Sequence, residues 1–240
     1  MSGEANMRRD RELYESLEKA GADDAAPVLR LYSWRPWTVS LGRAQEAERV
    51  LDLAALSERG YDWVQRPTGG RAVFHAEEIT YSIAAPLSGP FAASLAESHR
   101  GIGRALRRFY RSLGVAAELT HPSPARELDP RIKAPCFVAS GLAELELAGR
   151  KLAGSAQRRG RRAFLQHGSL LTGPAHLELA DLLPLDDAAL GREARLRLAE
   201  RSVSLAEVLD EMPGPDMLRD ALVEAFAREF GVGEWLRESP

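Results

Sequence analysis

Apolar residues recur at helical spacing over residues 4–20, where Leu13, Leu17 and Ala20 share one face and charges fill the rest. The pattern then turns β-like: residues 28–34 and 38–41 form two runs split by Arg35-Pro36, where proline favours a turn. Residues 47–59 return to helical spacing as a second helix, closed by Gly60 as a C-cap. Two β-rich runs, 61–65 and 71–85, are joined by the turn Thr68-Gly69-Gly70. Residues 94–113 predict a long amphipathic helix with Ile102, Leu106, Phe109, Tyr110 and Leu113 on its apolar side, and Gly114 stops it.

A strand at 115–119 precedes an irregular stretch holding His121-Pro122-Ser123-Pro124 and Lys133-Ala134-Pro135, which leads directly to Cys136. Long loops inside compact domains are disproportionately functional. Residues 142–147 alternate apolar and acidic side chains, as a half-buried strand does, and Ala148-Gly149 turns the chain into strands at 151–158 and 164–171. Beyond Gly173 the chain is helical, with 216–230 the clearest helix and Pro213-Gly214-Pro215 at its entry. Strands pairing largely by hairpin, with helices before and between them, predict an α+β (α/β) fold: a mixed, largely antiparallel sheet flanked by helices. No repeat or composition shift divides the chain, so one domain is expected over 1–240, with a core at about 28–185 and a helical tail at 186–240.

Composition narrows the function. In 240 residues with a formal net charge of -3, nothing global points to nucleic acid. The local cluster Arg158-Arg159-Gly160-Arg161-Arg162 reads equally as a solvated turn or as a patch for an acidic protein surface or a phosphate. One cysteine excludes an internal disulfide, and no Cys/His spacing suits zinc, so no metal is expected. A charged N-terminus without an apolar h-region and the lack of a bilayer-length apolar run predict a cytoplasmic protein with no membrane partner. A lone thiol stays reduced there.

The candidate chemistry gathers at three places. Gly69 and Gly70 let backbone approach a ligand closely, and Arg66 and Arg71 beside them either hold an anion or pair with Glu77 and Glu78. Cys136 is a nucleophile if a cation lowers its pKa, and a small buried hydrophobe otherwise. Lys151, flanked by Gly149 and Gly154 with small Ser155 and Ala156, can supply that cation, although lysines are more often solvated at the surface. His75 and His167 each follow an apolar run and read singly as satisfied histidines at the edge of a core. Together these suggest an acyl-transfer site.

Four blocks in order carry a family resemblance across residues 34–173. Trp37-Thr38-Val39-Ser40-Leu41-Gly42-Arg43-Ala44-Gln45 resembles a P-x-x-S-L-G-R-x-Q block, and residues 66–75 resemble R-x-x-G-G-x-A-V-F-H. Residues 149–157 resemble G-R-K-[IL]-x-G-S-A-Q, and Gln166-His167-Gly168-Ser169-Leu170 resembles Q-H-G-S-L. All four are similar to the family of lipoate–protein ligases, octanoyltransferases and biotin–protein ligases. The resemblance implies a catalytic domain of the biotin/lipoyl-ligase type. Pro135-Cys136-Phe137 resembles the octanoyltransferase branch that uses a loop cysteine. It implies that Cys136 takes octanoyl from octanoyl-acyl carrier protein as a thioester, that Lys151 lowers the thiol pKa, and that the acyl group passes to a lysine of a lipoyl domain. Glycine-cleavage H protein and a dehydrogenase E2 subunit are the implied acceptors. Gly69, Gly70, Arg71, His75, Gly154, Ser155 and Ala156 would line the acyl tunnel, and Arg66, Gln157, His167 and Gly168 complete the implied substrate site.

Thioester exchange is near thermoneutral, so this route implies no cofactor. Arg71 stands where the ATP-using ligases carry a third glycine, and the tail after Gly173 is short for their accessory domain; both favour the transferase. The alternative is an ATP- and magnesium-dependent lipoate–protein ligase in which Lys151 holds an acyl-adenylate. A third reading is a non-catalytic binder of lipoyl domains.

Overall fold

A computed structural model describes residues 1–20, 25–92, 94–120 and 144–231. The chain opens with α1 (Gly3–Lys19), whose Ser2 cap accepts from the Ala5 N–H. Its buried stripe is Gly3, Asn6, Met7, Asp10, Tyr14 and Leu17. That spacing is an ordinary core-facing stripe, yet Asn6 and Asp10 interrupt it with polar groups that must find partners inside. β1 (Val28–Tyr32) and β2 (Thr38–Leu41) then follow the expected division.

The single helix expected at 47–59 is two short ones, α2 (Ala47–Val50) and α3 (Leu53–Glu58). Asp52 causes the break. Its carboxylate accepts from the Ala54 and Ala55 N–H groups, starting a new helix, while its own N–H donates to the Leu182 carbonyl. Short acidic side chains compete for backbone donors in this way.

The run at 71–85 is also divided. β4 (Val73–His75) and β5 (Glu78–Pro86) lie in different sheets. The glycine turn closes no hairpin, because β3 (Asp62–Gln65) pairs parallel with β2 and β4 pairs antiparallel with the other edge of β2. The small sheet is therefore ordered β3-β2-β4, and Thr68-Gly69-Gly70 carries the chain past the end of β2.

The large sheet has six strands in the order β1-β5-β9-β8-β7-β6, with β6 (Glu118–Thr120), β7 (Glu144–Leu147), β8 (Arg150–Arg159) and β9 (Ala163–Leu171). Every neighbouring pair in it is antiparallel. Only the end of the strand expected at 115–119 pairs, as β6. Ala148 and Gly149 both take positive φ, 51° and 78°, as the two-residue hairpin joining β7 to β8 requires.

Helices cover both faces. α4 (Leu95–Ser112) starts at a Ser94/Glu97 capping box, and α6 (Pro215–Phe230) starts on Pro215 and ends at Gly231 in the left-handed region. Their Ile102, Leu106, Phe109, Leu222 and Phe226 pack on Tyr81, Ile83, Phe164 and Leu170 of the sheet. On the opposite face α1 sets Tyr14 and Leu17 against Ala84 and Leu165. A second core joins Val39, Leu41 and Phe74 of the small sheet to Leu179 and Leu182 of the 3-10 segment Pro174–Leu182 and to Ala194 and Leu198 of α5 (Ala188–Arg201). The core thus extends past 28–185 at both ends. No helix among the described residues is long and apolar enough to cross a membrane.

Replacing Asp52 by Ala removes the cap that splits α2 from α3. The expected cost is about 1 kcal/mol, read as a lower urea midpoint with an unchanged slope.

Candidate active site

A narrow cavity lies between the two sheets and under α1. β8 contributes Gly154, Ser155 and Ala156; β9 contributes His167, Gly168 and Ser169; β5 and β1 add Thr80 and Tyr32. Ser40, Arg66, Val73 and His75 face them from the small sheet and its turn, and Met7 and Trp34 close the side. Register explains the open space. Thr80, Ser169 and Gly154 are cross-strand neighbours, as are Ser82, His167 and Ala156, so glycine and alanine stand on β8 where larger side chains would fill the gap.

Many lining residues are polar, yet their heads turn away into a buried network. His75 Nδ1 lies 2.7 Å from Glu78 Oε1 and its Nε2 2.7 Å from Ser40 Oγ. Glu78 also accepts from Thr80 and Ser169. A second relay mirrors the first: His167 Nε2 is 2.6 Å from Thr68 Oγ1, and its Nδ1 is 3.4 Å from Asp10. Asp10 pairs with Arg30 and accepts from Tyr32 (2.9 Å) and Ser82 (2.7 Å). What remains toward the cavity is chiefly carbon, an environment suited to an acyl chain.

Arg66 organises the glycine turn. Its guanidinium donates to the carbonyls of Ser40, Gly69 and Arg71 and to Ser40 Oγ, at 2.6–3.1 Å. Arg66 thus bonds to its own turn and to β2, while Glu78 serves His75 and Glu77 accepts from the Ala175 N–H. Gly70 has φ +90°, and a Cβ there would reach 2.8 Å from Arg66 Nη2 and 3.8 Å from Ala156 Cβ. A Cβ on Gly42 would fall 2.0 Å from the Gly70 carbonyl oxygen. Two sequence blocks therefore meet at Gly42 and Gly70 where no side chain fits, and a third lies beside them at Ala156.

The remaining candidates divide. Gly69, Gly70, Arg71 and Gln157 are not among the residues that line the cavity; Gln157 Nε2 donates to Gln166 Oε1 at 3.1 Å. Gly168 lets the Tyr81 ring lie across β9, since a Cβ there would be 2.5 Å from Tyr81 Cε1. Tyr81 Oη accepts from Gln166 and lies 2.8 Å from Ser155 Oγ, and burial pushes its pKa up to about 12. Lys151 is buried near the start of β8, three positions before Gly154, and its carbonyl accepts from the Val203 N–H. Cys136 lies outside the described residues. Within the arginine cluster, Arg158 stacks over Tyr14 of α1 at 4.9 Å and Arg162 also reaches α1, while Arg159 reaches Ser98 on α4.

Sequence reasoning passed over Asp10, Arg30, Tyr32, Trp34 and Met7. The available signal was the polar pair Asn6 and Asp10 on the buried stripe of α1.

Comparison with known proteins agrees with this architecture. The Lipoyl protein ligase A/B catalytic domain matches residues 2–227. The chain belongs to that family. Among its relatives, a protein of Exiguobacterium sp. is 39% identical over 86% of this chain and 76% of its own length. Relatives from Macrococcus caseolyticus and Staphylococcus aureus are 36% and 32% identical, each over 95% of this chain and 83% of their own length. All three are named octanoyltransferase LipM. The bipartite lipoate protein ligase of Thermoplasma acidophilum, studied with its E2 lipoyl domain, shares the fold with a TM-score of 0.75 at 21% identity, covering 97% of this chain and 83% of that one. A lipoate-protein ligase A bound with ATP superposes with a TM-score of 0.72 at 22% identity, with the same coverage.

Within this member of the lipoyl ligase family, the buried network sets a pH dependence. Burial by itself would raise the Asp10 carboxyl, but His167, Arg30 and Ser82 outweigh it and hold the group below the ordinary aspartate range. Glu78 is likewise held low against burial by His75, Ser169 and Thr80. His167 is pushed down by burial despite Asp10, and burial also lowers His99 and His176.

The signs combine in one direction. Unfolded imidazoles take up protons below about pH 6.5 that these folded histidines resist, so stability falls as pH drops through that range. The carboxylates add stability above about pH 4 that is lost as pH falls through their lower folded values. Urea melts at stepped pH should therefore show two declines, the first approaching about 1.4 kcal/mol per pH unit for each proton taken up. In His167→Gln the first decline should be shallower.

Proposed function

We propose that the chain is a protein octanoyltransferase working through a Cys136 thioester. The observation that carries this reading is the name shared by the relatives above, at 32–39% identity over most of the chain; the cysteine after Pro135 supports it. The donor is octanoyl-acyl carrier protein. The Cys136 thiolate adds to the thioester carbonyl, the carbon–sulfur bond to the carrier breaks, and the carrier's thiolate leaves and takes a proton. The ε-amine of a lipoyl-domain lysine then attacks octanoyl-Cys136, forming the amide and returning the thiol. Glycine-cleavage H protein and dehydrogenase E2 domains are the candidate acceptors. Lys151 acts as the cation that favours the thiolate.

The cavity chemistry fits the acyl chain. Its wall keeps Gly154 and Ala156 where bulk would block it, and His75, His167 and Arg66 are spent on the network behind. Each acyl transfer exchanges one activated bond for another, or for a more stable amide, so the route consumes no ATP. A reduced cytosolic compartment suits the free thiol.

The lipoate ligases that share the fold support a second reading, ATP-dependent ligation with Lys151 holding the acyl-adenylate. One experiment separates the two. The chain is incubated with octanoyl-acyl carrier protein and an apo lipoyl domain, without ATP, and every protein is weighed intact. The expected result is an octanoyl adduct on the chain, absent in Cys136→Ala, and an octanoylated acceptor whose formation drops on the order of 10³-fold or more in that variant. Acceptor modification that survives Cys136→Ala and requires ATP and magnesium would establish the ligase instead. Lys151→Met should shift the pH–rate profile to higher pH, because the thiol then ionises later.

A further inference from the structure

The cavity has two unlike ends. Its lining residues cross the large sheet from β8 through β9 and β5 to β1, three inter-strand spacings or about 14 Å. Lys151, the cation of the proposed transfer, stands on β8 at one end of this row. A thioester presented from the β8 side directs the methyl end of its chain toward β1. There the cavity is closed by Met7, Tyr32 and Trp34, which also pack on one another.

The space left open is about 20 Å³, room for roughly one water. An eight-carbon chain therefore enters only if a wall gives way, and bonding decides which. Tyr32 donates to Asp10 at 2.9 Å. Trp34 Nε1 donates to Thr80 Oγ1 at 2.7 Å, and its ring stacks on His75 with centroids 4.1 Å apart. The backbone of α1 is pinned on both sides of Met7, by Asn6 donating to the Ser33 carbonyl at 3.1 Å and by Asp10 pairing with Arg30. Met7 has only a weakly accepting sulfur on an unbranched, adaptable side chain.

We propose that Met7 is the chain-length determinant of this site. Its side chain swings within the pinned helix to admit the acyl chain, and its bulk sets how far the methyl end reaches. This rests on the acyl-transfer reading for its biological substrate, although the cavity can be probed without turnover.

The test is calorimetric titration of the full chain with hexanoate, octanoate, decanoate and dodecanoate. Wild type should favour octanoate. In Met7→Ala the affinity ratio of decanoate to octanoate should rise about tenfold, the scale of one or two methylenes in an apolar pocket. In Met7→Phe octanoate should weaken by a similar factor while hexanoate is kept. Should Met7→Ala not fold, Met7→Phe carries the test, with Met7→Leu as the volume-conserving control expected to keep the wild-type order. Unchanged ratios in a folded Ala or Phe variant, or no fatty-acid binding by wild type, would overturn the proposal. Failure of octanoyl transfer in the assay above would instead remove the transferase reading, and the binding ratios would still decide the role of Met7.

Discussion

Two fully buried carboxylates, Asp10 and Glu78, organise the rest of the molecule. An isolated carboxylate inside a protein is too costly to persist, so each must gather hydrogen-bond donors and positive charge. Asp10 draws in Arg30, Tyr32, Ser82 and His167; Glu78 draws in His75, Thr80 and Ser169. Asp10 stands on α1 and the partners come from β1, β4, β5 and β9, so satisfying two charges ties a helix to both sheets. The cavity is a by-product of this arrangement. Once the polar heads face the carboxylates, what is left between the sheets is carbon.

Close backbone approach is the complementary constraint. Gly42 lies against Gly70, Gly70 lies near Ala156 and the Arg66 guanidinium, and Gly168 lies under the ring of Tyr81. The Gly42–Gly70 and Gly168–Tyr81 contacts join segments distant in sequence, and each excludes a side chain. Gly70 and Gly168 are also places where backbone meets backbone or an aromatic ring. Arg66 then turns a flexible glycine loop into a fixed wall by holding its carbonyls. Rigid walls and one adaptable side chain, Met7, are what a site needs to measure a chain.

Much of this was legible in one dimension. Helical spacing marked α1, α4 and α6, alternation marked β7, and Ala148-Gly149 marked the hairpin into β8, because these signals arise within a few residues. Boundaries failed where a local signal was overruled from a distance. Residues 47–59 have helical spacing, but Asp52 caps a new helix and bonds to Leu182. Residues 71–85 have strand composition throughout, but His75 and Glu78 fall in separate sheets that pairing partners elsewhere assign.

The site divides along the same line. The order of the four motif blocks carries the family resemblance, and the lysine on its small-residue strand and the lone cysteine carry the proposed chemistry, since close approach and nucleophilicity belong to residue types. Which groups face the cavity and which support it was decided only in three dimensions. Asp10 lies 157 positions from the histidine it holds, and Met7 reaches the cavity because Asn6, Asp10 and the apolar stripe of Tyr14 and Leu17 seat its helix there. A carboxylate's need for donors is visible in a sequence; the identity of those donors depends on which strands the fold brings beside it.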